Sequence, residues 1–280
     1  MSFPDASPHE EISRLLRVGD LNMALESAAS LVRGSPDDAA LRIGLFQLLA
    51  ASGQWQRAGD QLQLAGRFDA AWLPLAKAYA RVVSAEHTRA QVLAGRMLPL
   101  MLGQVPRWLH DLLQALQHDQ RGETVQAVQR RQLALTQAEA VAGAIDGQRF
   151  DWLGDADPRF GPCLEVVLEA GYAWVALSQL RRLRFEAPSA LRDLLWQQVE
   201  LTWTDGVVAH GVVPCRYPGS ELRDEPQLRL ARQTRWEGDG AAARGVGQRM
   251  LASSLGEHAL LDVRLIEFDV SAQGQASWPN

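Results

Sequence analysis

The chain has 280 residues, 47% of them hydrophobic and 22% charged, with a net charge of -5 and a pI of about 5.7. That length allows one large domain or two modest ones, and the apolar share is enough for a packed core. The acidic balance excludes a broad nucleic-acid-binding face, which needs a basic field; basic charge falls almost wholly on arginine, with Lys77 the only lysine.

The N-terminus, Met1-Ser2-Phe3-Pro4-Asp5, has no basic stretch leading into an apolar one, so no secretory signal is expected there. No uninterrupted apolar run reaches about 18 residues, so no membrane contact is expected and the expected location is cytoplasmic. The two cysteines, Cys163 and Cys215, lack metal-ligand spacing and are expected as free thiols in a reducing compartment.

Residues from about 8 to 145 read as helix. Ile12, Leu15 and Leu16 recur at helical spacing, as do Leu41, Leu45, Leu48 and Leu49. Pro36-Asp37-Asp38 predicts a helix start, with the proline in the first turn. Gly19-Asp20-Leu21 and Gly53-Gln54-Trp55 are echoes 34 residues apart, the tetratricopeptide period. Gly122-Glu123-Thr124 repeats the turn one residue out of phase. Pro99 is expected to break the helical run. Later helices are predicted from Pro106 to about His118, and from Glu123 to about Ile145, where Val128, Leu135, Ala138, Ala142 and Ile145 share a stripe.

Near Asp146-Gly147 the pattern changes. Leu164 to Glu169 and Gly171 to Val175 read as a hairpin. Val199 to Trp203 alternates, Asp205-Gly206 signals a tight turn, and Val207 to Val213 returns. Leu260 to Ile266 is the expected closing strand, and Ser189 to Trp196 a short helix capped by Ser189. The fold expected is α+β and multidomain: an all-α tetratricopeptide-like array over 1–147, then a smaller α+β barrel-like domain over 148–280.

Motifs of chemistry are sparse. No metalloprotease, P-loop or nucleophile-elbow motif occurs, and Gly245-Val246-Gly247 lacks the third glycine of a dinucleotide fingerprint, so a turn is expected there. His110 and His118 are eight apart, too far to grip one metal. Asp151, Asp155 and Asp157 lack the spacing of a calcium loop and are expected to turn the chain and cap amides. Cys215 has no base identifiable beside it. Arg181, Arg182 and Arg184 read as a solvated strand edge or as a second docking patch. Neither catalysis nor a cofactor or metal is expected.

A resemblance then enters. The run Asp151-Trp152-Leu153-Gly154-Asp155-Ala156-Asp157-Pro158-Arg159-Phe160-Gly161-Pro162 resembles the signature of the ImpE family, also called TagJ. Blocks at Leu191 to Trp196, Val213 to Glu221, Leu230 to Trp236, Gly245 to Arg249 and Leu260 to Arg264 follow in order. The stretch from Ala39 to Leu49 and Gly53-Gln54-Trp55 match in style. Cys163 departs from the aliphatic residue expected there. The resemblance implies a tetratricopeptide-like domain, an α+β barrel-like domain, and an accessory of the type VI secretion machine. It also implies a partner, the small contractile-sheath subunit TssB, engaged through a helix near its N-terminus. It carries no catalytic residues. Stacked helix pairs form a groove that suits an amphipathic helix, and large aromatics are common anchors, so Phe46, Trp55, Trp72 and Tyr79 are the candidate groove residues; packing between repeats is their other reading. Two alternatives stand beside this one: a generic repeat adaptor for another peptide, and an enzyme with a pocket at the domain junction lined by Asp155, Asp157, Arg159 and Arg216.

Overall fold

A computed structural model describes residues 8–269. Its N-terminal part is helical: α1 (Pro8–Val18), α2 (Leu21–Gly34), α3 (Ala39–Ala51), α4 (Trp55–Phe68) and α5 (Leu73–Leu93), each packed on the next. The short strand β1 (Leu100–Met101) follows Pro99, and the pair α6 (Arg107–Gln120) and α7 (Thr124–Gln137) completes this part. The echo in the sequence is an echo in the backbone. Gly19, Gly53 and Gly122 have φ of +86°, +69° and +72°, a region open to glycine at little steric cost. After each, the next amide reaches back to the last turn: Asp20 N to Leu15 O, Gln54 N to Leu49 O and Glu123 N to His118 O, at 2.8–3.0 Å. Aspartates cap two of the helices, α2 and α3, whereas Glu123 ahead of α7 makes no side-chain cap. Asp20 accepts from Met23 N, and Asp38 from Leu41 N, each at 3.0 Å. Pro36 therefore lies ahead of the helix rather than inside it, and its carbonyl receives Arg42 Nε at 2.7 Å.

The helical reading overruns at one place. α7 stops at Gln137, and residues 143–145 form a strand. Gly143 explains the change: a Cβ there would lie 2.1 Å from the Glu267 carbonyl, so the backbones pair closely at this glycine.

The sheet part contains β2 (Gly143–Ile145), β3 (Gln148–Phe150), β4 (Leu153–Asp155), β5 (Cys163–Leu168), β6 (Gly171–Ala176), β7 (Leu180–Phe185), β8 (Trp196–Trp203) and β9 (Val208–Pro214). After the short α8 (Pro226–Arg229) come β10 (Thr234–Glu237), β11 (Arg244–Gly247), β12 (Met250–Ser253), β13 (Gly256–Ala259) and β14 (Leu265–Phe268). Nine strands pair in the order β1-β6-β5-β9-β8-β7-β14-β2-β3, with β13-β12-β4 and β10-β11 as smaller sheets. The architecture is thus α+β. The barrel expected does not close, because β1 and β3 are left as edges. Three local expectations change too. Residues 245–247 lie in β11 rather than a turn. The helix expected over 189–196 shrinks to a 3-10 turn, Leu191–Leu194, and Trp196 opens β8. Residues 260–262 are another 3-10 turn, so the last strand starts at Leu265.

The central strands are buried on both faces, with period two deciding which core each side chain enters. Cys163, Val167, Tyr172, Trp174 and Ala176 pack with the helices, while Leu164, Val166, Leu168, Ala173 and Val175 pack in a second core on the other face.

Candidate functional site

The junction between the helices and the sheet holds a buried network of charges. Glu165 of β5 is fully buried and points to the helical side. It takes both oxygens' worth of contact from Arg89 of α5, Nε to Oε1 at 2.9 Å and Nη2 to Oε2 at 3.0 Å. It also receives the Tyr172 hydroxyl and Arg249. Arg249 continues to Asp155 Oδ2 at 3.1 Å and lies 4.6 Å from the Phe160 ring centre. Asp155 accepts from Tyr217 Oη at 2.9 Å, and Asp157 holds Arg159 and the Gly245 amide. Burial raises the Asp155 carboxyl to about 6 against the pull of Arg249, and burial lowers Arg249 to about 10.

Arginines of the sheet part also meet helix ends. Arg216, buried, donates to the carbonyls of Ala51 at 2.8 Å and Ala50 at 3.4 Å, at the end of α3. Arg232 donates to Leu16 O at 2.7 Å, at the end of α1. A cation at a helix C-terminus satisfies carbonyls that lack a helical partner and opposes the dipole's negative end. Arg131 of α7, likewise buried, donates to Ala241 O at 2.6 Å.

The aromatics singled out in the sequence divide. Phe46 has no exposed surface; it stacks on Trp196 at 6.5 Å and meets Tyr79 edge-on at 5.8 Å. Trp55 and Tyr79 also lie against Trp196, at 5.9 and 6.0 Å. Trp72, in the 3-10 turn Ala70–Trp72, is half-buried and packs on the same core without joining these ring contacts. Three of the four thus converge on a fourth aromatic from β8. Arg181 and Arg184 are exposed on β7, and Arg182 pairs with Glu200 at 3.3 Å. Asp151 is exposed; its backbone amide donates to the Ser254 hydroxyl oxygen at 2.8 Å. His110 is exposed, whereas His118 Nδ1 meets Glu123 at 2.5 Å; among the described residues no cluster of three potential ligands could hold a metal.

Asp155, Asp157, Arg159 and Arg216 are all buried, and the cavity beside Asp155 is about 10 Å³, too small for an organic substrate. Cys163 and Cys215 are free and buried, and burial lifts both thiols, that of Cys215 to about 12. Neither should react with a thiol reagent such as Ellman's until the protein unfolds, when both should titrate; prompt labelling in native buffer would contradict this packing.

Open clefts lie elsewhere on the described residues: two, one on each side of the 189–192 segment, and another at the α1–α2 turn against Asp224, Pro226 and Arg229. The first, about 230 Å³, is lined by Ile12 and Leu16 of α1, Leu31 of α2, Leu41, Gly44 and Leu48 of α3, and Leu191. The second, about 480 Å³, lies between α5 and the strands β5 and β9.

Residues 147–267, which include all the sheet-side members of the network, match the family model described as ImpE protein. Over 255 residues the chain is 44% identical to the type VI secretion system accessory component TagJ of Pseudomonas aeruginosa, covering 91% of this chain and 90% of that protein. The chain belongs to the ImpE family. A solved structure of protein VPA1032 from Vibrio parahaemolyticus matches 92% of this chain and 97% of its own at a TM-score of 0.83 and 22% identity, a likeness of fold.

In this ImpE chain, sequence reasoning found Asp155, Asp157, Arg159 and Arg216 but not their charged partners Glu86, Arg89, Glu165 and Arg249. One signal was available. Glu165 is a lone acid inside the apolar run Leu164-Glu165-Val166-Val167-Leu168, and an acid in a strand buried on both faces needs a cation. Among the described residues no helix is long and apolar enough to cross a membrane.

Proposed function

We propose that this chain is a non-catalytic, cytoplasmic accessory of a type VI secretion system, and that its tetratricopeptide-like helical part holds the N-terminal helix of the small sheath subunit TssB, tuning sheath assembly or recycling. The observation that carries the accessory role is the 44% identity with TagJ across 91% of the chain. The cleft between α1, α2 and α3 supports the helix-binding step. Its wall is aliphatic, with Ser13 and Gln47 among its polar residues, which suits the apolar face of an amphipathic helix. Gly44 sits in mid-helix on that wall with nothing within 4 Å of where a Cβ would stand. A glycine there weakens α3 by roughly 1 kcal/mol relative to alanine and leaves room for an occupant. Trp55 and Trp72 keep part of their surface open and are the proposed anchors of the aromatic set, with Phe46 and Tyr79 supporting them from within; Arg181, Arg182 and Arg184 offer a second docking patch.

Calorimetric titration with a peptide of the sheath subunit's N-terminal helix tests this. Saturable binding near micromolar is expected for the parent chain. Gly44→Gln should raise the unfolding midpoint and weaken the complex, because it improves α3 while filling the cleft. No heat at high peptide concentration would refute the sheath assignment and favour an adaptor for another peptide.

A further inference from the structure

The second cleft is built differently from the first. Its aliphatic wall is Leu75, Ala78 and Val82 of α5 facing Val167 and Val212 of the sheet. At its edge stands Tyr79, only 7% exposed, whose hydroxyl makes no hydrogen bond of ordinary geometry, with the Arg192 guanidinium as a hydrogen-bonding neighbour and no acceptor for its proton. Buried polar groups are rarely left unbonded, so an orphan of this kind beside a cleft points to a missing acceptor. Burial raises the Tyr79 phenol above its ordinary pKa, so it is a donor at any physiological pH. The guanidinium of Arg192 lies 5.5 Å from the same ring centre, and its Nε is also without a hydrogen bond, though 3.6 Å from Asp193 Oδ1. Arg81, exposed on α5, lines the cleft as well, and among the described residues it has no ion-pair partner. Against these two cations the lining holds one acid, Glu169, while His210 leans towards Glu200 at 3.7 Å. Among the lining side chains the donors outnumber the acceptors, and Arg81 is the cation without an ion pair.

We propose that this cleft receives a carboxylate-bearing side chain of the protein partner, held by Arg192, Arg81 and the Tyr79 hydroxyl. The inference rests on the sheath-binding reading above and adds the chemistry of a second contact. Continuity with the first cleft supports it. Leu191 lines one and Arg192 the other, and the Arg192 amide donates to Gln47 Oε1 of α3 at 3.1 Å, so one partner lying across the 190–192 turn reaches both. The hydroxyl is shielded from water, so the Arg192 side chain, on its short turn, moves to let the carboxylate in. Arginine suits the task because its planar fork grips a carboxylate at two points.

The test is titration of the parent chain, Tyr79→Phe and Arg192→Gln with the purified small sheath subunit at two salt concentrations, beside thermal unfolding of each free protein. Tyr79→Phe keeps the ring and its packing and removes only the unbonded hydroxyl, so its unfolding midpoint should equal or exceed the parent's. Its Kd should rise roughly tenfold through loss of a hydrogen bond to a charged group. Arg192→Gln should weaken binding by a similar factor and flatten its salt dependence. If the parent binds and both variants match it, the cleft is not used and the inference falls alone. Should Tyr79→Phe unfold earlier and bind unchanged, the hydroxyl has an internal partner and the inference falls as well. A parent chain that does not bind overturns the sheath reading and this inference with it.

Discussion

Glu165→Gln should lower the stability of the free protein by about 3–5 kcal/mol, the range for stripping one partner from a buried ion pair. The carboxylate of Glu165 is fully buried and faces two arginines whose own side chains are nearly closed from water. An amide keeps the shape but brings an NH2 group against guanidinium donors and removes the charge that both arginines share. Arg89 would retain Glu86 at 3.4 Å and the Arg216 carbonyl at 2.8 Å, and Arg249 would retain Asp155 at 3.1 Å. Those contacts keep the loss finite but do not replace a full charge in a low-dielectric site. Urea unfolding with far-ultraviolet circular dichroism measures it. A loss below about 1 kcal/mol would mean that the arginines are neutralised by other means, and that the Glu165 network is not what holds the helices to the sheet.

Trp196→Ala should cost about 3–5 kcal/mol, the usual penalty for emptying a large aromatic site in a packed core. The indole is 1% exposed, touches Phe46, Trp55 and Tyr79, and donates from Nε1 to Glu86 Oε1 at 2.6 Å. Deletion leaves a cavity in the seam between α3, α4, α5 and β8, and takes a donor from a buried glutamate. Trp196→Phe should cost less, since it refills most of the volume and loses the hydrogen bond. The pair of variants separates packing from hydrogen bonding. Denaturant midpoints with unchanged m-values would show that stability, rather than the two-state transition, has moved. An alanine variant as stable as the parent would show that the four rings do not form a cooperative core.

Several local features could be read directly because short-range chemistry imposes them. The glycine turns at 19, 53 and 122 depend on a left-handed residue that glycine adopts with little strain. The hairpin of β8 and β9 turns at Asp205-Gly206, where Gly206 has φ of +89°. The hairpin of β5 and β6 follows from two largely apolar runs on either side of a short break at Glu169-Ala170. The acidic run at 151–157 was readable as polar and turn-forming, and Asp155 does receive the Asp157 amide at 2.8 Å.

Other features could not be read, because their partners are distant in the chain. Ala142 and Ile145 fit the stripe of α7 by spacing, yet residues 143–145 lie outside the helix and pair with β14. Glu165 meets Arg89, 76 residues away, and Arg249, 84 residues away, and no local signal names either. Trp196 sits where the sequence suggests a helix end, but burial against α3, α4 and α5 is gained only when it begins a strand. By itself the sequence determined the helix-turn rhythm, the hairpins, the scarcity of catalytic motifs and the likeness to the ImpE family, since each depends on neighbours within a few turns of chain. Only the tertiary structure decided that the sheet stays open, that arginines cap the ends of α1 and α3, that three of the four candidate aromatics meet on Trp196, and that Tyr79 turns an unbonded hydroxyl to the edge of a cleft. Those outcomes depend on which charges and rings share a desolvated space, and that is set by packing rather than by order along the chain.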